Sequence, residues 1–229
     1  HEHGDHIRTL PKIAGDDLQL IATSGTARHA GLPAERTEIV NTRAPVRVAS
    51  ATVHMLPVRH DASDPCGYHI EIGGVRLTVL TDLGSWQDHL VDAVASSNLV
   101  LLEANYNETM LARGPYPARL KRRVASEIGH LGNIACGQAM VSAVRTGRVE
   151  ATWWLSHLSQ TNNSPQQAEL DVRETLNRAD LDAGVTALPR RDPGPVWAFE
   201  PTNRKLLMPT TIVTSSKCAA AQLGLPGLG

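Results

Sequence analysis

His1-Glu2-His3-Gly4-Asp5-His6 opens the chain and puts four metal-capable side chains, His1, His3, Asp5 and His6, within six residues. Three imidazoles and a carboxylate in one short loop can converge on a small volume, and borderline metals such as zinc take nitrogen and oxygen donors at about 2.0–2.2 Å. Cys66, Cys136 and Cys218 are few, odd in number and far apart, which argues against a disulfide framework or a thiolate cluster and fits a reducing cytoplasm. A metal would therefore be held by His and carboxylate.

Beyond this loop, short apolar or alternating runs bounded by Gly, Asp or Pro predict strands over Val46 to Val58, Tyr68 to Ile72, Val75 to Leu80, Asn98 to Leu102 and Ala151 to Leu155. Gly73-Gly74 signals a hairpin between two of them. Helical patterns cover Gln87 to Ala95, Ile134 to Arg145 and Pro165 to Asp182, the last introduced by a capping Ser164 and a first-turn Pro165. Strands interleaved with helices predict a mixed, layered α/β fold. One domain is expected over residues 1–199, followed by a poorly structured tail over 200–229, where Pro, Gly, Ser and Thr accumulate without a convincing period.

Four of the apolar runs deliver a ligand-type residue at their carboxyl ends: Val58 leads to His60, Leu80 to Asp82, Leu102 to Glu103 and Leu155 to His157. In layered α/β folds the carboxyl ends of strands share a rim where active sites collect, which brings His60, Asp82 and His157 toward the His1–His6 loop. Seven donors exceed what one tetrahedral ion needs. Two divalent ions about 3.5–4 Å apart, zinc or manganese, account for the number.

The 229 residues are 41% hydrophobic and 20% charged, with a net charge of −1, an ordinary globular composition that excludes a globally basic nucleic-acid binder. A local basic stripe does occur: Arg113, Arg119, Lys121, Arg122 and Arg123 fall between Glu103 and His130. Such residues give salt-sensitive, sequence-independent phosphate contacts. With four Trp, three Tyr and one Phe, the chain has little material for a long base-stacking platform. There is no signal peptide and no apolar stretch of membrane-spanning length, so no membrane partner is expected. The chain begins without Met, and upstream residues are taken to be missing.

Several spaced motifs carry a resemblance: His1-Glu2-His3-Gly4-Asp5-His6-Ile7, Pro57-Val58-Arg59-His60-Asp61-Ala62, Thr81-Asp82-Leu83-Gly84, Leu102-Glu103-Ala104-Asn105, Gly114-Pro115-Tyr116-Pro117, Gly129-His130-Leu131 and Ser156-His157-Leu158-Ser159-Gln160-Thr161-Asn162-Asn163. Over residues 1 to about 199 the chain resembles metallo-β-lactamase-fold hydrolases, and more narrowly the YycJ/WalJ branch, which is similar to RNase Z and RNase J. The resemblance implies an αββα sandwich whose leading strands precede His1. It also implies His1, His3 and His60 on one metal, Asp5, His6 and His157 on the other, and Asp82 between them. Phosphodiester hydrolysis, including exonuclease action on DNA, is the implied activity. Two departures stand out: Gly132 replaces a frequent Ser, and Tyr106-Asn107 replaces a His-Asp of some relatives.

The chemistry gives each residue a role. Two cations lower the pKa of a shared water toward neutrality and clamp phosphate oxygens as charge builds. Asp5 is the candidate to accept a proton, His130 to contact phosphate or deliver a proton, and Arg119, Lys121, Arg122, Arg123 and Asn162 to hold a nucleic acid substrate of DNA or RNA. Glu103 and Asn105 would support the ligands from behind. His29, His54, His69 and His89 lack strand-end placement and read as surface or packing residues. Ser156, Ser159 and Cys66 sit in no Gly-x-Ser-x-Gly elbow. Two alternatives stay open: a dinuclear hydrolase of a small ester, thioester or lactam, which would show a closed apolar pocket, and a noncatalytic metal-binding regulatory module.

Overall fold

The computed structural model describes all residues except 14, 16, 17, 147–150, 191 and 200–229. Two units are separable, His1–Asp192 and Pro193–Gly229. In the described part of the second, residues 193–199, Trp197 and Phe199 stack with ring centroids 5.8 Å apart. The expected tail over 200–229 lies outside the described residues.

Within the first unit, two short helices, α1 (Gly4–Ile7) and α2 (Leu10–Ile13), precede a two-stranded parallel sheet, β1 (Leu20–Thr23) and β2 (Thr37–Val40), connected through α3 (Ser24–Ala30). Thr23 Oγ1 and the Gly25 amide anchor this piece to Asp64 at 2.9 and 3.3 Å. The main sheet has seven strands in sequence order: β3 (Val46–Val48), β4 (Ala51–Pro57), β5 (Cys66–Ile72), β6 (Val75–Leu80), β7 (Leu99–Glu103), β8 (Thr152–Ser156) and β9 (Val185–Ala187). Helices α4 (Val91–Ala95), α5 (Glu108–Arg113), α6 (Ala118–Val124), α7 (Asn133–Val144) and α8 (Pro165–Asn177) fill the connections. This is the mixed, layered α/β architecture that the interleaved pattern predicts.

Three predicted elements are corrected by backbone conformation. The single strand over Val46 to Val58 is two antiparallel strands, because Ala49 takes a left-handed φ of 51° and folds β3 back on β4. The helix over Gln87 to Ala95 begins as a 3-10 turn, Asp88–Leu90. The helix toward Asp182 stops at Asn177, where Asp180 turns left-handed at φ 56° and the Leu181 amide returns to the Leu176 carbonyl at 3.0 Å. Its start is as read: Ser164 accepts from the Gln167 amide at 3.1 Å, with Pro165 in the first turn. Gly73 and Gly74, at φ 57° and 81°, make the two-residue turn between β5 and β6, a conformation that glycine adopts without a Cβ penalty.

One face of the main sheet carries the core. Leu80, Val100, Leu102, Trp153 and Leu155 from the strands pack with Val94 of α4, Cys136, Met140 and Ala143 of α7, and Ala168, Val172 and Leu176 of α8. The apolar side of α7 is therefore Cys136, Ala139, Met140 and Ala143, whereas Ile134 is exposed. Strand direction then places the functional rim. β4, β5 and β6 alternate antiparallel, so β4 and β6 run the same way, and β7 and β8 are parallel to β6. The carboxyl ends of β4, β6, β7 and β8 therefore lie on one edge, with His60, Asp82, Glu103 and His157 at or just past them. Among the described residues no helix is long and apolar enough to cross a membrane.

Candidate metal centre

The rim and the amino-terminal loop meet. Donor atoms of His1, His3 and His60 lie within 4.8 Å of one another, as do those of Asp5, His6 and His157, and those of His1, His6 and Asp82. Asp82 sits between the groups: Oδ2 is 3.0 Å from His6 Nε2, and Oδ1 is 3.6 Å from both His60 Nε2 and His157 Nε2. His1 Nε2 and Asp82 Oδ2 are buried with no hydrogen-bond partner among the described residues, and the short approach of His6 to Asp82 is not aligned as a hydrogen bond. Buried polar atoms are normally paired, so donors left unpaired in a cluster of imidazoles and carboxylates fit a divalent cation.

The backbone is bent to aim these groups. Asp82 and His157 both take left-handed conformations, φ 55° and 56°, immediately beyond β6 and β8. Such residues cost about 1–3 kcal/mol each and persist only where the surroundings over-determine them. Here the surroundings are Glu103 at the end of β7. Its fully buried carboxylate accepts from five donors: Leu83 and Leu131 amides on Oε2 at 2.6 and 3.3 Å, and His157 Nδ1, His130 Nδ1 and Asn105 Nδ2 on Oε1 at 2.7, 2.9 and 3.3 Å. Asn105 also donates to the His157 carbonyl at 2.8 Å. The carboxylate can only accept, so each ring carries its proton on Nδ1 and turns Nε2 outward. His60 is fixed the same way, with Nδ1 on the Gly129 carbonyl at 2.9 Å.

Charge states follow from these contacts. Burial alone would raise the Asp82 carboxyl, but His6, His157 and His60 outweigh it and hold it far below the usual range. Burial likewise opposes ionisation of Glu103, which its bonds to His130 and His157 nevertheless keep depressed. For His157 burial disfavours the cation, yet Glu103, Asp82 and Asp5 push its pKa up to about 9. Burial dominates at His60 and lowers it.

A cleft of about 760 Å³ adjoins the cluster, lined by Asp5, Asn105, His130 and His157 together with Tyr116, Leu120, Leu188, Pro189 and Arg190 among others. Of the basic stripe only Arg123 reaches it, already held bidentate by Asp61 at 2.5 and 3.0 Å. Lys121 donates to the Ala112 carbonyl at 2.7 Å, and Arg119, Lys121 and Arg122 are not part of the cleft wall. Asn162, expected to hold substrate, is likewise not part of the cleft wall. It is fully buried, and a Cβ on Gly114 would lie 2.5 Å from its Oδ1, so its place is inside the loop that carries Ser159. Sequence reasoning missed Arg190, whose guanidinium donates to the Leu158 carbonyl at 2.7 Å beside His157. It also missed Tyr116 as a wall residue, although that residue sits in a quoted motif. The two departures, Tyr106 and Gly132, prove to be neighbours joined by a parallel backbone bridge. Of the remaining histidines, His69 is buried against Thr78 Oγ1 at 2.8 Å and His89 bonds the Pro57 carbonyl at 2.9 Å.

Residues 1–158 match the family described as Beta-lactamase superfamily domain. An exodeoxyribonuclease, YycJ, of Bacillus anthracis is 28% identical over 190 residues, covering 80% of this chain and 71% of its own. The exodeoxyribonuclease WalJ of Streptococcus pneumoniae serotype 2 is 29% identical over 195 residues, covering 81% and 71%. Among solved structures, the metallo-β-lactamase fold protein YhfI from Bacillus subtilis superposes with a TM-score of 0.61 at 15% identity, over 82% of this chain and 71% of that one.

Proposed function

The chain belongs to the β-lactamase superfamily, whose members of this fold are metal-dependent hydrolases, and from that premise we propose that it hydrolyses phosphodiester bonds as an exonuclease on DNA, with two divalent ions held by His1, His3, Asp5, His6, His60, Asp82 and His157. The observation that carries the reading is the cleft beside the donor cluster. It is open, lined about equally by polar and apolar surface, and includes two guanidinium groups, Arg123, paired with Asp61, and Arg190, which keep donors in the wall for a phosphate chain. The small-ester alternative called for a closed apolar pocket, and the lining does not favour it.

When bound, the divalent ions supply Lewis acidity and ionise water near neutrality. The chain's own groups divide the remaining work. Asp5, whose side chain is 62% exposed and lies 3.9 Å from His157 Nε2, is available to take a proton at the cleft surface. His130, tied at Nδ1 to Glu103, presents Nε2 as its free ring nitrogen, the atom that contacts a phosphate oxygen or hands a proton to a departing oxygen only when the ring is doubly protonated. Arg123 and Arg190, in the same cleft wall, are the groups available to orient phosphates.

The test is cleavage of end-labelled single- and double-stranded DNA and RNA by the chain reconstituted with zinc or manganese, beside a His60→Ala control. Metal-dependent release of mononucleotides from DNA, lost in the control, is the expected outcome. Equal cleavage by His60→Ala would show contamination and remove the assignment.

A further inference from the structure

A second cleft, of about 380 Å³, shares His130 with the first. Its walls are Trp86 and Tyr106, two of the eight aromatic residues in the whole chain. Small residues, Gly84, Gly132, Ala125, Ala135 and Ala139, leave its floor open. The placing of the Tyr106 ring depends on Gly132: a Cβ there would lie 2.9 and 3.0 Å from Tyr106 Cε2 and Cζ and 2.7 Å from Glu108 Oε1. The indole N–H of Trp86 finds no acceptor among the described residues. At the rim, the exposed amide of Gln138 is free among the described residues, and its donor and acceptor faces tolerate different base edges.

Charge separates the two clefts. The larger carries Arg123 and Arg190, whereas the smaller has no Lys or Arg among the described residues of its wall, and its Glu127 is paired with Arg59 at 2.9 Å. A continuing phosphate backbone belongs in the first, and the uncharged end of a strand in the second. The smaller volume is near the lower limit for small-ligand sites, room for one nucleoside.

Resting on the exonuclease reading above, we propose that the Trp86–Tyr106 cleft is the subsite for the terminal nucleoside, its base stacked against the aromatic walls while the scissile phosphate lies by His130. One nucleoside per cleft sets the product size at a mononucleotide. Stacking is tolerant of base identity because every base has a π-face, so the subsite enforces end recognition without sequence preference.

Two measurements test this, the second independent of the activity. First, kcat/KM is compared on a DNA strand and on the same strand ending in a tetrahydrofuran abasic residue. The wild-type ratio is expected on the order of ten-fold in favour of the base, carried by KM, and should fall toward one in Tyr106→Ala and in Gly132→Ser, which displaces the ring. A wild-type ratio of one, or a ratio unchanged in both variants, overturns the proposal. Second, deoxyadenosine monophosphate should quench tryptophan fluorescence in the wild type but not in Trp86→Phe, with ribose 5-phosphate inert. Quenching that persists in Trp86→Phe, or none in the wild type, refutes the subsite. Should the wild type cleave no DNA, the exonuclease reading fails while the quenching result still decides the cleft.

Discussion

Replacing Glu103 by Gln probes how the site is held, because the two side chains have nearly the same shape and differ in what they can accept. The Leu83 and Leu131 amides on Oε2 are backbone donors that cannot change sign, so the Gln oxygen must take that position. Its NH2 then faces His157 Nδ1, His130 Nδ1 and Asn105 Nδ2, all of them donors to the carboxylate. Without metal the two rings can answer by moving their protons to Nε2, and the loss is then the charge assistance of the four bonds that remain together with the Asn105 bond, where NH2 now meets NH2, about 1 kcal/mol each. That answer spoils the ligand. His157 Nε2, 3.6 Å from Asp82 Oδ1, would carry a hydrogen where a metal needs a lone pair. Restoring the lone pair forces Nδ1–H against the amide NH2, leaving a buried donor unsatisfied at about 1–3 kcal/mol, which corresponds to roughly 10- to 100-fold in metal affinity. Zinc titration against a chelating dye, with urea unfolding of the metal-free protein alongside, measures both parts. Zinc bound by Glu103→Gln within two-fold of wild type would refute the tautomer argument. Glu103→Ala should go further, since five orphaned donors at about 1–3 kcal/mol each rival the whole stability of a domain.

Gly84→Ala is expected to destabilise by about 1–3 kcal/mol and to weaken metal binding, because its Cβ would meet the Glu127 carbonyl and lie 2.6 Å from the Gly129 amide, in the segment whose Gly129 carbonyl fixes His60. Urea midpoints and the same zinc titration check it; an unchanged affinity would uncouple the two loops. His69 supplies a pH dependence away from the metal centre. Burial, the dominant cause, holds its folded pKa below the ordinary histidine value of 6.5. The unfolded chain therefore takes up the proton first, and stability is complete above pH 6.5 and declines as pH falls from there through the folded value. In chelator, His69→Gln should lose less stability than wild type between pH 7.5 and pH 5; parallel losses would show that His69 is not responsible. Salt dependence separates the cleft from the basic stripe. Two cations on a single strand give a slope of log(kcat/KM) on log salt near −1.4, whereas the five basic residues of the stripe would give about −3.5. A slope of the steeper kind would mean that Arg119, Lys121 and Arg122 bind the substrate after all.

What was legible in the sequence was whatever a local signal could carry. His1 to His6 is one contiguous loop, and His60, Asp82 and His157 each follow an apolar run that ends in a turn, so direction along the strand was enough to send them to one rim. The cleft has no such signal. Arg123 is engaged by Asp61, 62 positions away, and nothing in either neighbourhood marks the pairing. Asn162 looks like a polar loop residue until Gly114 closes over it. Arg190 lies past the three-residue strand β9 and reaches the site only because that strand pairs with β8. The division of Val46 to Val58 turned on the φ of one alanine, and β1 and β2, four residues each, were too short to show a period.

The same geometry explains why a residue that was read as a supporting group governs the site. Asp82 and His157 lie just past the ends of β6 and β8, and both are bent into a conformation that ordinary residues avoid. Neither bend is stabilised by its own strand. Glu103 lies between those strands, on β7, and its two oxygens reach the Leu83 amide directly after Asp82 on one side and the His157 ring on the other. A single buried anion thus offsets two strained turns, and the positive charge it favours on His157 keeps that anion compensated before any metal arrives. On this reasoning the strained turns and the anion stand or fall together, and substituting Glu103 should disturb Asp82 and His157 jointly, where exchanging either ligand would disturb one side alone.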